Sequence, residues 1–196
     1  MSRRIFIVRH GDTFASSAEA RRVGARTATP LVDSGRAQAA RLGQWFAGAV
    51  SPIQRILCSP LQRAKETAEA IAAATARPID GTRDWLGEID HGPDEGKPEA
   101  EVVERLGPEA LARWDEAAVA PDGWIVDADA RIAAWSAYFA EAGEGADILV
   151  TSNGAARFAL LAAGLPLGAL KLRTGAFGEL AIEAEAVRLV RWDTRP

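Results

Sequence analysis

Three short apolar runs, each followed at once by polar residues and then by a helical pattern, set the tightest limit on what this chain can fold into. Residues 4–8 run into Arg9-His10-Gly11, Ile56-Leu57-Cys58 into Ser59-Pro60, and residues 148–151 into Ser152-Asn153. Runs that are apolar at consecutive rather than alternate positions read as strands buried on both faces, the habit of parallel sheets. Between them, Ala39, Leu42, Phe46 and Ala49 recur at helical spacing across residues 33–50. A second helix follows Ser59, which fits its N-cap, with Pro60 at the first helical position and Gln62 at the far corner of a capping box. Leu61, Ala64, Ala68 and Ile71 give that helix one apolar stripe, and Arg77-Pro78 stops it. Further helices are expected over residues 127–142, with Ile132, Trp135 and Phe139 inward, and over residues 154–163. The tail alternates in residues 179–183 and 188–192, as a terminal hairpin or strand pair does. Residues 80–125 break the rhythm with Gly, Pro and acidic side chains, so they are expected to form an insertion over one end of the sheet. Strands alternating with helices predict a three-layer α/β/α sandwich with a mostly parallel central sheet, as a single domain over residues 1–196.

Charge and cysteine usage narrow the function. With 23 Lys and Arg against 27 Asp and Glu, the formal net charge is −4, which argues against a broad nucleic-acid surface but allows one small cationic pocket. No stretch approaches membrane-spanning length, and the apolar run after Met1-Ser2-Arg3-Arg4 is too short for a signal-peptide core, so no membrane association and a cytoplasmic location are expected. Cys58 is the single cysteine, and His10 and His91 are the two histidines. An internal disulfide and a Cys-based metal cluster are therefore excluded, and a His-rich metal site is poorly supported.

Ligands of open α/β sheets bind beyond the carboxyl ends of the strands, where Arg9-His10, Ser59 to Arg63 and Ser152-Asn153 all fall. A phosphate dianion needs fixed positive charge and several directed donors, and an arginine fork supplies both. Arg9 lies at the end of its strand. Arg63 lies in the first turn of its helix, where free N–H groups and the helix dipole also favour an anion. His10 can accept a phosphoryl group on a ring nitrogen, and Gly11 lets the backbone approach closely. Alone, an Arg-His-Gly tripeptide is weak, arising by chance in on the order of a few per cent of chains this long.

The ordered set of motifs is far more specific. Arg9-His10-Gly11-Asp12-Thr13 resembles the signature of the histidine phosphatase superfamily, the phosphoglycerate-mutase-like proteins. Thr29-Pro30-Leu31 leading to Gly35 and Gln38 follows in the family's order. So do Cys58-Ser59-Pro60-Leu61-Gln62-Arg63-Ala64 with Thr67-Ala68, and Leu86-Gly87-Glu88-Ile89-Asp90-His91-Gly92 with Glu95-Gly96. Val150-Thr151-Ser152-Asn153-Gly154 completes the set. The resemblance implies a phosphatase that hydrolyses phosphomonoesters through a phosphohistidine at His10, with Arg9 and Arg63 clamping the phosphoryl oxygens. Glu88 is implied as the acid that protonates the leaving oxygen and later activates water, a role that suits a carboxyl whose pKa is raised by partial burial. The implied substrate is a phosphorylated small molecule, with no metal or organic cofactor. Oligomeric state is not readable.

Two positions depart from the pattern. The family's second histidine aligns with Asn153, which carries no charge. Asn153 reads equally as a helix N-cap or as a neutral amide donor to the phosphoryl group. Losing a charged donor to a transition state costs a few kcal/mol. A weakened or non-catalytic family member that binds phosphorylated ligands is therefore one alternative. A phosphomutase is another, although the mutases of this family generally carry a larger insertion. Ser16 stands where many members have a phosphate-contacting Asn, and a hydroxyl also donates. His91, where the family usually has an aromatic, reads as a packing or rim residue. Cys58 and Arg63 are one residue too close for a cysteine-phosphatase loop, and Cys58 reads as a buried strand residue. Arg21, Arg22 and Arg26 are loop arginines, solvated or within reach of the rest of a substrate, and Trp85 is expected at the pocket mouth.

Overall fold

The computed structural model describes residues 3–165, 170–183 and 186–196. Among these, β1 (Arg3–Arg9), β2 (Ile53–Cys58), β3 (Gly81–Thr82), β4 (Gly145–Thr151), β5 (Phe177–Glu183) and β6 (Ala186–Thr194) form one sheet in the order β3-β2-β4-β1-β5-β6. The β3-β2, β2-β4 and β4-β1 pairs are parallel, whereas β5 runs antiparallel to β1 and β6 antiparallel to β5. Consecutive apolar residues of each strand feed opposite layers. Phe6, Val8, Ile56, Cys58, Ile148 and Val150 pack with α1 (Asp33–Ala49) and α2 (Gln62–Thr75). Ile5, Ile7, Leu57 and Leu149 pack on the other face with α5 (Ala128–Ala140) and α6 (Asn153–Ala162). All ten of these strand residues are buried, so the expected three-layer α/β/α sandwich with a mostly parallel sheet is the fold found.

Local boundaries differ from the sequence reading in two instructive places. Ser59 does not cap α2, because the helix begins at Gln62 and extended Leu61 precedes it. Ser59 Oγ instead accepts from the Leu61 N–H at 3.2 Å, and Gln62 donates its amide to Glu66 at 2.8 Å, so the capping box is not formed. A serine hydroxyl satisfies a nearby turn N–H as readily as a helix N–H, and Ser-Pro favours the turn. Residues 80–125 hold β3, single helical turns at Asp84–Leu86 and Gly92–Asp94, and the short helices α3 (Glu99–Leu106) and α4 (Pro108–Ala117). Each helix spans three turns or fewer, too short to show a period in the sequence. Asp94 ties them together, accepting from Trp124 Nε1 at 2.7 Å and Arg105 Nε at 2.7 Å.

One buried ionic knot locks the amino end of the sheet. Asp147 on β4 accepts from Arg3 Nε at 2.8 Å, Arg55 Nη2 at 2.9 Å and the Tyr138 hydroxyl at 3.0 Å. Burial alone would raise its carboxyl pKa, but the hydrogen bonds and charge of Arg55 and Arg3 overcome that and hold it low. Stability from a depressed carboxylate is present above the unfolded pKa, about 3.9, and is lost as pH falls through the folded value. Asp147→Ala strands the buried Arg3 cation and is expected to lower unfolding free energy by about 3 kcal/mol at neutral pH. Urea titrations should show that difference shrinking below about pH 4, and an undiminished gap there would refute the ionic account.

Candidate active site

The carboxyl ends of β1, β2 and β4 meet below a cavity of about 670 Å³ whose wall includes Arg9, His10, Ser16, Glu88 and Asn153. His10 leaves β1 and is 5% exposed. Its Nδ1 lies 2.7 Å from the Gly11 carbonyl oxygen, which can only accept, so Nδ1 carries the proton and Nε2 keeps its lone pair. Arg63 Nε donates to that lone pair at 3.1 Å. Burial, then the charges of Arg63 and Arg9, hold the imidazole pKa well below its ordinary value, so His10 is neutral at neutral pH. Gly11 is required where it stands, because a Cβ there would lie 2.3 Å from the Gly35 carbonyl oxygen.

Arg63 is fully buried beneath His10 rather than on the cavity wall. Its Nη1 and Nη2 donate to the carbonyls of Thr27 at 2.8 Å and Gly24 at 3.1 Å, which leaves Nε aimed at the imidazole. Arg9 is on the wall and half-buried, with Nη1 donating to the Leu172 carbonyl at 2.7 Å. Its Nε is buried with no partner among the described residues. That N–H keeps its full capacity to donate.

Glu88 follows the turn at Asp84–Leu86 and is 7% exposed. Arg131 of α5 pins its backbone, donating to Gly87 O at 2.7 Å and Glu88 O at 3.3 Å. The carboxylate accepts from the Ile89 N–H at 2.9 Å and the Gly154 N–H at 3.1 Å. A Cβ at Gly154 would fall 2.1 Å from Glu88 Oε1, so any larger residue there would displace the carboxylate. Partial burial does not leave the Glu88 carboxyl raised. Burial does push it up, but His91, the Ile89 N–H, Arg63 and the Gly154 N–H together bring it below the ordinary value.

Asn153 is not a helix cap. Ser152 holds the N-cap position and Asn153 is the first helical residue of α6; its Oδ1 accepts from the Leu172 N–H at 2.8 Å. Ser16 is exposed on the cavity wall. His91 also lines the cavity, buried edge-on against Trp124 with ring centroids 4.5 Å apart. Of the loop arginines, Arg21 and Arg22 reach the wall, Arg22 paired with Glu99 at 2.6 Å, while Arg26 turns to Asp90 at 3.0 Å. Trp85 is not at the mouth; it packs against Trp135 at 4.7 Å, and Trp114 of α4 lines the cavity instead. Cys58 is buried in the strand layer, and burial raises its thiol pKa. Sequence reading missed Leu111, Trp114, Lys171, Thr174 and the Leu172 carbonyl. The last three lie in an aperiodic segment, and a backbone acceptor leaves no residue-type signal.

Fold and site together define a class: an α/β protein with a neutral histidine held between two arginines at the carboxyl edge of a parallel sheet. The chain belongs to the histidine phosphatase superfamily, branch 1, whose family model matches residues 5–195. Solved structures share its fold. Mycobacterial hydrolase 1 is 23% identical with a TM-score of 0.83, each chain covered over 100% of its length. A mycobacterial glucosyl-3-phosphoglycerate phosphatase is 24% identical over 99% of this chain and 100% of that one, with a TM-score of 0.80; it has also been solved with VO3 bound. YhfR of Bacillus stearothermophilus is 24% identical over 99% of this chain and 98% of that one, with a TM-score of 0.78. No curated protein sequence matches the chain. No helix among the described residues is long and apolar enough to cross a membrane.

Proposed function

We propose that the protein is a phosphatase that hydrolyses a small phosphomonoester through a phosphohistidine at His10. The observation that carries this reading is the His10 tautomer. With Nδ1–H committed to Gly11 O, Nε2 is left unprotonated, 3.1 Å from Arg63 Nε, on a residue that lines the cavity together with Arg9 and Glu88. Nε2 attacks phosphorus, the bond to the ester oxygen breaks, and Glu88 supplies the proton that oxygen takes. Arg63 Nε, relieved of the imidazole, and Arg9 Nε then donate to phosphoryl oxygens. Water cleaves the P–N bond in the second step, Glu88 accepts its proton, and the electron pair returns to Nε2.

The low Glu88 pKa fits this sequence of events. An arriving phosphate adds like charge beside the carboxylate and competes for Arg63, and both effects push Glu88 back toward its protonated form. A cavity of about 670 Å³ is roomy for a bare phosphate and suits an esterified small molecule. The family membership and the glucosyl-3-phosphoglycerate phosphatase among its structural relatives support the same class of reaction.

A generic aryl phosphate is expected to be hydrolysed without added metal, and Cys58→Ser is expected to leave the rate within about twofold, as a buried thiol with a raised pKa contributes no nucleophile. Loss of activity in Cys58→Ser with a correctly folded protein would overturn the assignment. Phosphate binding with no turnover across a broad ester panel would replace it by the binding-module reading.

A further inference from the structure

The Asn153 side chain is tied to the backbone of Leu172. The Leu172 N–H donates to it at 2.8 Å. A backbone N–H can only donate, so the amide oxygen must face Leu172 and Nδ2 must point the other way. The side chain forms part of the cavity wall, and no described residue accepts from Nδ2. Leu172 is itself fully buried in the hydrophobic layer beneath α6. Its carbonyl accepts from Arg9 Nη1 at 2.7 Å, and this is the one side-chain hydrogen bond Arg9 makes among the described residues.

One residue is thus held by both of its peptide groups, the N–H by Asn153 and the C=O by Arg9. We propose that Asn153 is a positioning residue for Arg9, acting through the Leu172 backbone to aim the guanidinium at the bound anion. This rests on the reading of Arg9 as part of the anion clamp. The chemistry at position 153 follows. Whatever holds Leu172 must accept a hydrogen bond, and an imidazolium, which donates from both nitrogens, cannot. A charged histidine here would gain a cation and release Leu172, and with it the orientation of Arg9. Asparagine accepts with Oδ1 and keeps Nδ2 as a neutral donor toward the cavity.

A double-mutant cycle on the intact chain, read by calorimetric binding of inorganic phosphate, tests the coupling. Asn153→Ala is expected to weaken binding about tenfold, and Arg9→Ala by more; in the Arg9→Ala background the Asn153→Ala change should add less than about twofold. Asn153→His gives a second readout, taken relative to the unmodified protein at each pH. Near about pH 8.5 a neutral ring can accept from Leu172 and binding should approach normal; near about pH 5.5 the charged ring cannot, and binding should fall to the Asn153→Ala level. An undiminished Asn153→Ala effect in the Arg9→Ala background overturns the coupling while leaving the anion site intact. So does Asn153→His binding phosphate more tightly at the lower pH. Failure of the unmodified protein to bind phosphate at all would overturn the anion-site reading, and this proposal with it.

Discussion

His10→Ala is expected to lower kcat on any phosphomonoester by on the order of 10^4-fold or more, while inorganic phosphate still binds within a few-fold of normal. The asymmetry follows from how the site is built. The variant removes the Nε2 lone pair, and no other described nucleophile replaces it, since Cys58 is buried in the strand layer with a raised thiol pKa. The cations remain. Arg63 keeps its anchors on Thr27 O and Gly24 O and loses only the imidazole as the acceptor for Nε. Arg9 keeps its bond to Leu172 O. Binding and chemistry should therefore separate cleanly, and a variant that lost both together would indicate that His10 holds the pocket's shape. The pH profile carries a related sign. Because burial and the two arginines hold the His10 pKa well below its ordinary value, the neutral nucleophile persists on acidification. The acid limb of kcat/KM belonging to His10 should lie below about pH 6.5, the ordinary imidazole value. A limb above that value would contradict a histidine held low by burial and two arginines.

Glu88→Gln is the second large effect, and its size should depend on the leaving group. Glutamine keeps the size and its one oxygen can accept from either the Gly154 N–H, now at 3.1 Å, or the Ile89 N–H, now at 2.9 Å, but not both, and it has no proton to transfer. On an alkyl phosphate, whose alkoxide leaves poorly, kcat should fall by about 10^2- to 10^4-fold. On a nitrophenyl phosphate the first step needs no acid, so phosphorylation of His10 proceeds. Hydrolysis of the P–N bond still needs a base to take the water proton and is slowed. Stopped-flow kinetics should then show a burst of one nitrophenolate per chain ahead of a slow steady state. Equal losses on both esters with no burst would remove Glu88 from the proton-transfer role.

Much of this was legible in the sequence, for a definite reason. Residues 4–8, 56–58 and 148–151 are apolar at consecutive positions, and the topology of a parallel sheet forces their carboxyl ends to one rim. Arg9-His10, Arg63 and Asn153 could be brought together from pattern alone because each lies within a few residues of such an end. Glu88 is legible only from motif order, and the direction of its pKa is not legible at all, because His91 and the Ile89 and Gly154 N–H groups reach it only through the folded chain. The Ser59 cap failed because two hydrogen-bonding arrangements compete locally and the sequence does not choose between them. The role of Leu172 was invisible, because a carbonyl and an N–H are common to every residue and only the fold directs these two at Arg9 and Asn153.

The central claim is that His10 Nε2 becomes covalently phosphorylated during turnover. The most direct measurement is rapid quenching of the Glu88→Gln variant with a nitrophenyl phosphate, followed by peptide mass spectrometry and parallel treatment in acid and alkali. The account predicts one phosphoryl group per chain on His10, labile in acid, stable in alkali, and absent from His10→Ala. A phosphoryl group on any other residue, or turnover in the unmodified protein with none trapped in either form, would contradict it.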